Sequence, residues 1–161
     1  MSVLPNYHPI FFIGAVGCVI SIIIHVFAAV LSMRFIRHRA KYPLLSHGPS
    51  MSLYVTTVVT LVFFLAHIIQ IAVWALIFMG LGQFDRLEPA FYHSAVNYTT
   101  LGYGTMMEPP WHLLEPLEAT AGILAFGIST AALSALLMRM MEQMQKEEEE
   151  ADAKAATEAK N

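Results

Sequence analysis

Two glycines at alternate positions, Gly102 and Gly104 in Thr100-Leu101-Gly102-Tyr103-Gly104, set the chemistry open to this chain. A monovalent cation crosses hydrocarbon when oxygens held at the right spacing replace its hydration water, and backbone carbonyls serve if successive ones face a common axis. Such a backbone alternates between right- and left-handed conformations, which a Cβ resists and glycine permits. Thr100 adds a hydroxyl oxygen, and the side chains of Leu101 and Tyr103 are expected to turn from the axis onto a scaffold behind. One chain carries one such segment, whereas a carbonyl cage needs oxygens from four sides. The expected unit is therefore a homotetramer around a central fourfold axis.

The elements that must position this segment are apolar. Apolar residues make up 57% of the chain and charged ones 13%, against roughly 45–50% and 25% in soluble domains. Three stretches reach the length of about 20 residues that a crossing helix needs: residues 10–33, 52–79 and 113–138. The expected fold is an all-α integral membrane protein, with three transmembrane helices plus a re-entrant pore helix and filter loop per subunit. Residues 1–50 hold the first span and a basic loop, 51–140 the pore domain, and 141–161 a charged tail. Between the second and third spans, Pro89 suits the first turn of a helix over 89–99, too short to cross. Irregular backbone at that depth survives only where it is buried in protein or lines water.

The run Phe91-Tyr92-His93-Ser94-Ala95-Val96-Asn97-Tyr98-Thr99-Thr100-Leu101-Gly102-Tyr103-Gly104, followed by an apolar helix with Gly122 and Gly127, resembles the pore domain of the potassium-channel superfamily. Among its members it is most similar to the small bacterial ion-channel proteins that have a pore and little else. The resemblance covers residues 51–140 and implies a potassium-selective channel, with K+ as the permeant ion held at Thr100, Leu101, Gly102 and Tyr103. Two positions depart from the family. Leu101 stands where Val or Ile is usual, and Thr105 where an Asp braces the filter against the pore helix. Thr99, Thr105, His93 and Glu118 are the residues that would support the filter here, with Thr105 and His93 as a substitute bond. A softened filter would give a non-selective monovalent cation pore instead, and a non-conducting accessory or assembly subunit is the other alternative.

Orientation follows from the basic residues, which stay on the cytoplasmic side when close to a span. Arg34, Arg37, Arg39 and Lys41 lie between the first two spans, and Arg139 and Lys146 follow the third. The amino terminus is then outside, the filter loop faces outward, and the carboxyl terminus is cytoplasmic, as expected for a multi-pass protein of a bacterial inner membrane. Asp85, Glu88, Glu108, Glu115 and Glu118 would oppose Arg86 alone at the outer mouth, either raising the local cation concentration there or standing as ordinary solvated loop carboxylates. Glu118, one turn into the third span, would instead hydrogen-bond behind the filter or near Tyr103, since burying an acid without a partner is costly.

In the third span, Gly127 is either a bend or a packing position, and Leu133 and Leu137 form either an apolar constriction or ordinary interhelix contacts. Gly14, Gly17 and Ser21 in the first span let another helix approach closely. His25 and His67 lie at similar depth and could face each other or Gln70, as a pH sensor or as a structural contact. The tail, with the run Glu147 to Glu150, is expected to be frayed and solvated, the alternative being that it prolongs the inner helix along the heptad spacing of Leu133, Leu137, Met140 and Met144. No nucleophile–base constellation, phosphate loop or metal-ligand spacing is present, so the chain is not expected to be an enzyme or to hold a metal beyond the permeant K+. Cys18 is alone, and no span carries regularly spaced arginines. No nucleic acid or separate protein partner is expected.

Overall fold

The computed structural model describes residues 7–39, 49–103 and 106–159. Their elements are α1 (His8–Arg39), α2 (Pro49–Gly80), α3 (Leu87–Tyr98), a 3₁₀ turn (Trp111–Leu113) and α4 (Leu114–Glu158). Three helical stretches, His8–His38, Met51–Gly80 and Trp111–Glu158, are long and apolar enough to cross a membrane. The α3 helix has 12 residues, about 18 Å at 1.5 Å per residue against a hydrocarbon core of about 30 Å, so it cannot span. Large apolar side chains such as Phe12, Phe27, Leu53 and Phe64 stand mostly exposed on α1 and α2. Water would oppose that exposure and lipid would not, which makes the fold compatible with a multi-pass membrane protein.

Helix ends obey local chemistry. Pro89 and Pro116 each fall at the third residue of their helix, where an amide would have no intrahelical partner to lose. The α1 helix runs on through Arg34 and Arg37 to Arg39, so these arginines sit on a helix end rather than in a loop; Lys41 lies outside the described residues. The tail corrects the expectation more sharply. Residues 141–158 are not frayed but continue α4 as an exposed helix to Glu158. Their Met, Glu, Gln, Ala and Lys content is that of strong helix formers, and Glu142–Lys146 and Glu150–Lys154 have the favourable i,i+4 order.

The helices pack as one cluster. Ala28, Val55, Val59, Phe63, Ala66 and Leu136 join α1, α2 and α4 towards the Arg39 end. Ile10, Trp74, Phe78, Met107 and Leu114 do the same at the other end. The small residues of α1 find their partners within the chain: Gly14 faces Leu114 and Leu117, Gly17 lies under the Trp74 ring, and Ser21 accepts a 3.1 Å bond from Trp74 Nε1. The first span is thus fixed to its own α2 and α4.

Candidate functional site

The segment Thr100–Tyr103 begins where α3 ends. Thr99 closes the helix with φ −85° and ψ 2°, and its hydroxyl donates to the Ala95 carbonyl at 2.6 Å. The next residue, Thr100, takes the left-handed conformation at φ 61°. Its amide donates to the Asn97 carbonyl at 2.9 Å, and the Leu101 amide reaches back to the Val96 carbonyl at 3.0 Å. This pair of bonds is a Schellman motif, which usually places glycine where Thr100 stands. Two residues on, Gly102 is again left-handed at φ 68°, with its amide 3.4 Å from the Val96 carbonyl. The handedness therefore alternates over Thr100, Leu101 and Gly102, although the first left-handed position is a threonine that the glycine spacing did not indicate.

All these amides point back into α3, and among the described residues no donor reaches the carbonyls of Thr100 to Tyr103. Leu101 and Tyr103 do not pack on a scaffold within the chain: they are 58% and 67% exposed. Gly104 and Thr105 lie outside the described residues, as does any bond between Thr105 and His93.

Behind α3 the polar groups are crowded and mostly paired. Tyr98, the last residue of α3, is fully buried and donates to Gln70 Oε1 at 3.0 Å. With its proton spent there, its oxygen accepts from His67 Nδ1 at 2.8 Å, which leaves His67 Nε2 facing Ser129 Oγ at 3.4 Å. Gln70 Nε2 donates to the Ala66 carbonyl and to His25 Nδ1, both at 3.1 Å. The directions assign the proton of His67 to Nδ1 and that of His25 to Nε2. This network ties α1, α2, α3 and α4 to one tyrosine. The two imidazoles face each other with ring centroids 4.9 Å apart, and His67 stacks on Phe126 at 4.4 Å.

A second set of contacts lies one turn nearer the start of α3. The Ser94 hydroxyl sits between the Ile71 carbonyl, at 2.8 Å, and Oε1 of the fully buried Glu118. Glu118 thus bonds to α3 and not to Tyr103. His93 is buried against Phe78 and Phe84, meets the Asn97 amide at 2.9 Å and lies 3.5 Å from Glu115 Oε1. Burial holds its imidazole below the ordinary value, against the opposite pull of Glu115. Glu115 Oε1 also accepts the Met107 amide at 2.8 Å, anchoring the chain ahead of α4.

These positions correct the count of acids at the mouth. Glu115 and Glu118 are turned into the protein, and Arg86 pairs with Glu88 at 2.9 Å on the surface. Asp85 and Glu108 remain as exposed acids without a salt bridge among the described residues. Ser94, Asn97 and Tyr98 carry the bracing and were not singled out from sequence, and Glu115, which joins them, was expected only as an acid at the mouth. One signal was available: Glu115 and Glu118 are three apart and so share a helix face, which a lone solvated acid has no reason to do.

On α4, Gly122 touches α3 directly, and a Cβ there would collide with the Tyr98 carbonyl oxygen. Gly127 has nothing within 4 Å, so close packing in this chain does not explain it. Leu133 is half-buried against the Phe63 cluster, while Leu137 is 47% exposed. Gly127, Thr130, Ala131 and Ser134 leave one continuous small and polar stripe uncovered, bounded by Ile123 and Leu124 on one side and Leu137 and Met138 on the other. No family model, curated protein or solved structure matches this chain.

Proposed function

We propose that four copies of this chain assemble around a fourfold axis into a potassium-selective channel, with the carbonyls of Thr100, Leu101, Gly102 and Tyr103 as the ion ligands. The observation that carries this reading is the alternation of handedness over Thr100–Gly102 with every amide turned back into α3. That arrangement leaves the carbonyls free for an ion, and cage oxygens of this kind replace the hydration shell. The exposed Leu101 and Tyr103 are then covered by neighbouring subunits. The uncovered stripe of Gly127, Thr130, Ala131 and Ser134 lines the inner cavity, where a lipid-facing surface would be apolar. Leu137 forms the constriction below it, and Gly127 is the position free to bend. The positive-inside pattern directs the amino terminus outward and the carboxyl terminus to the cytoplasm.

Reconstitution in liposomes tests this. With a potassium gradient, the protein should carry flux that reverses near the potassium equilibrium potential and barely responds to a sodium gradient. Flux that tracks both ions alike would favour the non-selective pore. No flux from a protein that runs as a monomer or dimer would remove the proposal altogether.

A further inference from the structure

A cavity of about 310 Å3 opens between α1, α2 and α4 at the Arg39 end of α1, away from the filter. Its volume falls in the range of about 300–1,000 Å3 that holds small ligands. Ala29 and Ala132 give it width, and Phe63 and Leu136 close it from within. Two polar groups break this apolar lining. The Ser32 hydroxyl is buried to 3% exposure, and its oxygen has no partner among the described residues. Arg139 stands exposed at the rim, with no ion pair among the described residues.

A hydroxyl stranded in an apolar recess is costly unless something fills the recess and offers it an acceptor. A guanidinium beside it selects an anion, and arginine binds phosphate through two parallel hydrogen bonds. Inorganic phosphate satisfies the arginine but gives the apolar walls nothing. A helix from a second copy would also fill the walls, and a count of subunits separates it from a lipid.

We infer that this cavity binds one anionic phospholipid, an acyl chain lying between Ala29 and Ala132 and the phosphate resting on Arg139 at its exposed edge. Basic pockets between membrane helices are sites of this kind. The ligand would lie against Leu136 on α4, next to Leu133 and Leu137, and so would bias the position of the inner helix.

Native mass spectrometry of the purified full chain in micelles is the test, because it counts lipids and subunits together. With phosphatidylglycerol and phosphatidylcholine supplied equally, phosphatidylglycerol should be retained in preference. Arg139→Gln should weaken its retention about fivefold, the change carried by one basic contact to an anionic lipid, and leave phosphatidylcholine unchanged. Arg34→Gln, which alters a basic residue of α1 outside the cavity lining, should change neither. Ala132→Phe, which fills the recess, should abolish the preference, and Ala29→Leu should do so from the opposite wall. Millimolar inorganic phosphate should not displace the lipid.

Equal losses in Arg34→Gln and Arg139→Gln would mean diffuse attraction and overturn the inference. So would full retention after both cavity-filling changes, or displacement by phosphate. If Ala132→Phe alters the number of subunits rather than the lipids bound, a second copy occupies the recess and the lipid site is wrong. None of these outcomes depends on ion conduction.

Discussion

The two ends of the polar machinery around α3 are built in opposite ways. Behind the helix, Tyr98, Gln70, His67, His25, Ser94 and Glu118 are held by partners drawn from every long helix of the chain. In front of it, Thr100 to Tyr103 are exposed, and their carbonyls meet no donor among the described residues. A buried polar group without a partner costs about 1–3 kcal/mol, so these bonds hold the rear in place, although His25 Nε2 and Glu118 Oε2 meet no partner among the described residues. The front lacks such constraint within one copy. The contrast teaches that this chain determines where the segment after α3 starts and in which direction it leaves, while contacts within one copy leave Leu101 and Tyr103 uncovered.

The sharpest way to break the rear region is Gly122→Val. The added carbons would enter the space of the Tyr98 carbonyl oxygen, which is backbone and cannot rotate away. Overpacking a filled site costs about 1–3 kcal/mol and sometimes more, and here a loss of about 3 kcal/mol or more is expected. Denaturant titration in micelles should read it directly, with assembly and flux lost together. A change below about 0.5 kcal/mol, the size of an ordinary surface substitution, would mean that α4 and α3 do not meet as described.

Next in size is Tyr98→Phe. It keeps the ring against Phe126 but removes the hydroxyl between His67 and Gln70. Stability should fall by about 1–3 kcal/mol, the cost of leaving buried partners unpaired. Adding Gln70→Met should recover part of that loss, because it removes a group the first change had stranded. Strict additivity of the two changes would show that the hydroxyl and the amide do not share one network.

Much of this could be read in the residues, and the failures have identifiable causes. Apolar length located α1, α2 and the start of α4, and Pro89 the short α3, but the end of α4 at Glu158 lies well beyond the apolar stretch that ends at residue 138. Facing histidines were legible too, since equal depth on adjacent spans left them few other partners. Tyr98 was missed because a tyrosine beside a glycine-bearing motif looks like part of the motif. Its role emerges only when Gln70 and His67 from α2 converge on it. The tail was misjudged because four glutamates suggest solvation, which is correct, and disorder, which does not follow when the same residues favour helix. Thr100 was read as an oxygen ligand alone, although the end of α3 also requires a left-handed residue there.

The front region is sharpened by Gly102→Ala. Nothing lies within 4 Å of a Cβ at Gly102, so the substitution meets no clash, but its φ of 68° opposes any L side chain. The left-handed conformation costs such a residue roughly 1–2 kcal/mol. Stability of the rear network should fall by no more than that, whereas potassium flux should drop far more than the stability loss accounts for. Flux that declines only in proportion to the folded fraction would mean the segment is a loop and not a filter.

The smallest effect on stability, and of opposite sign, is expected from Thr100→Gly. Threonine at φ 61° occupies the position that a Schellman motif ordinarily gives to glycine. Relieving its Cβ should stabilise the end of α3 by up to about 1 kcal/mol. If helix termination were all that Thr100 does, the variant would be at least as stable and would conduct as before. If its hydroxyl also serves the ion, the variant gains stability and loses potassium preference over sodium and its block by barium, and Thr100→Ser retains both. The two roles thus pull apart in one substitution, since the carbon that strains the backbone and the oxygen that would meet the ion sit on the same side chain. A Thr100→Gly channel that is more stable and equally selective would leave the helix cap intact and strip the threonine from the filter.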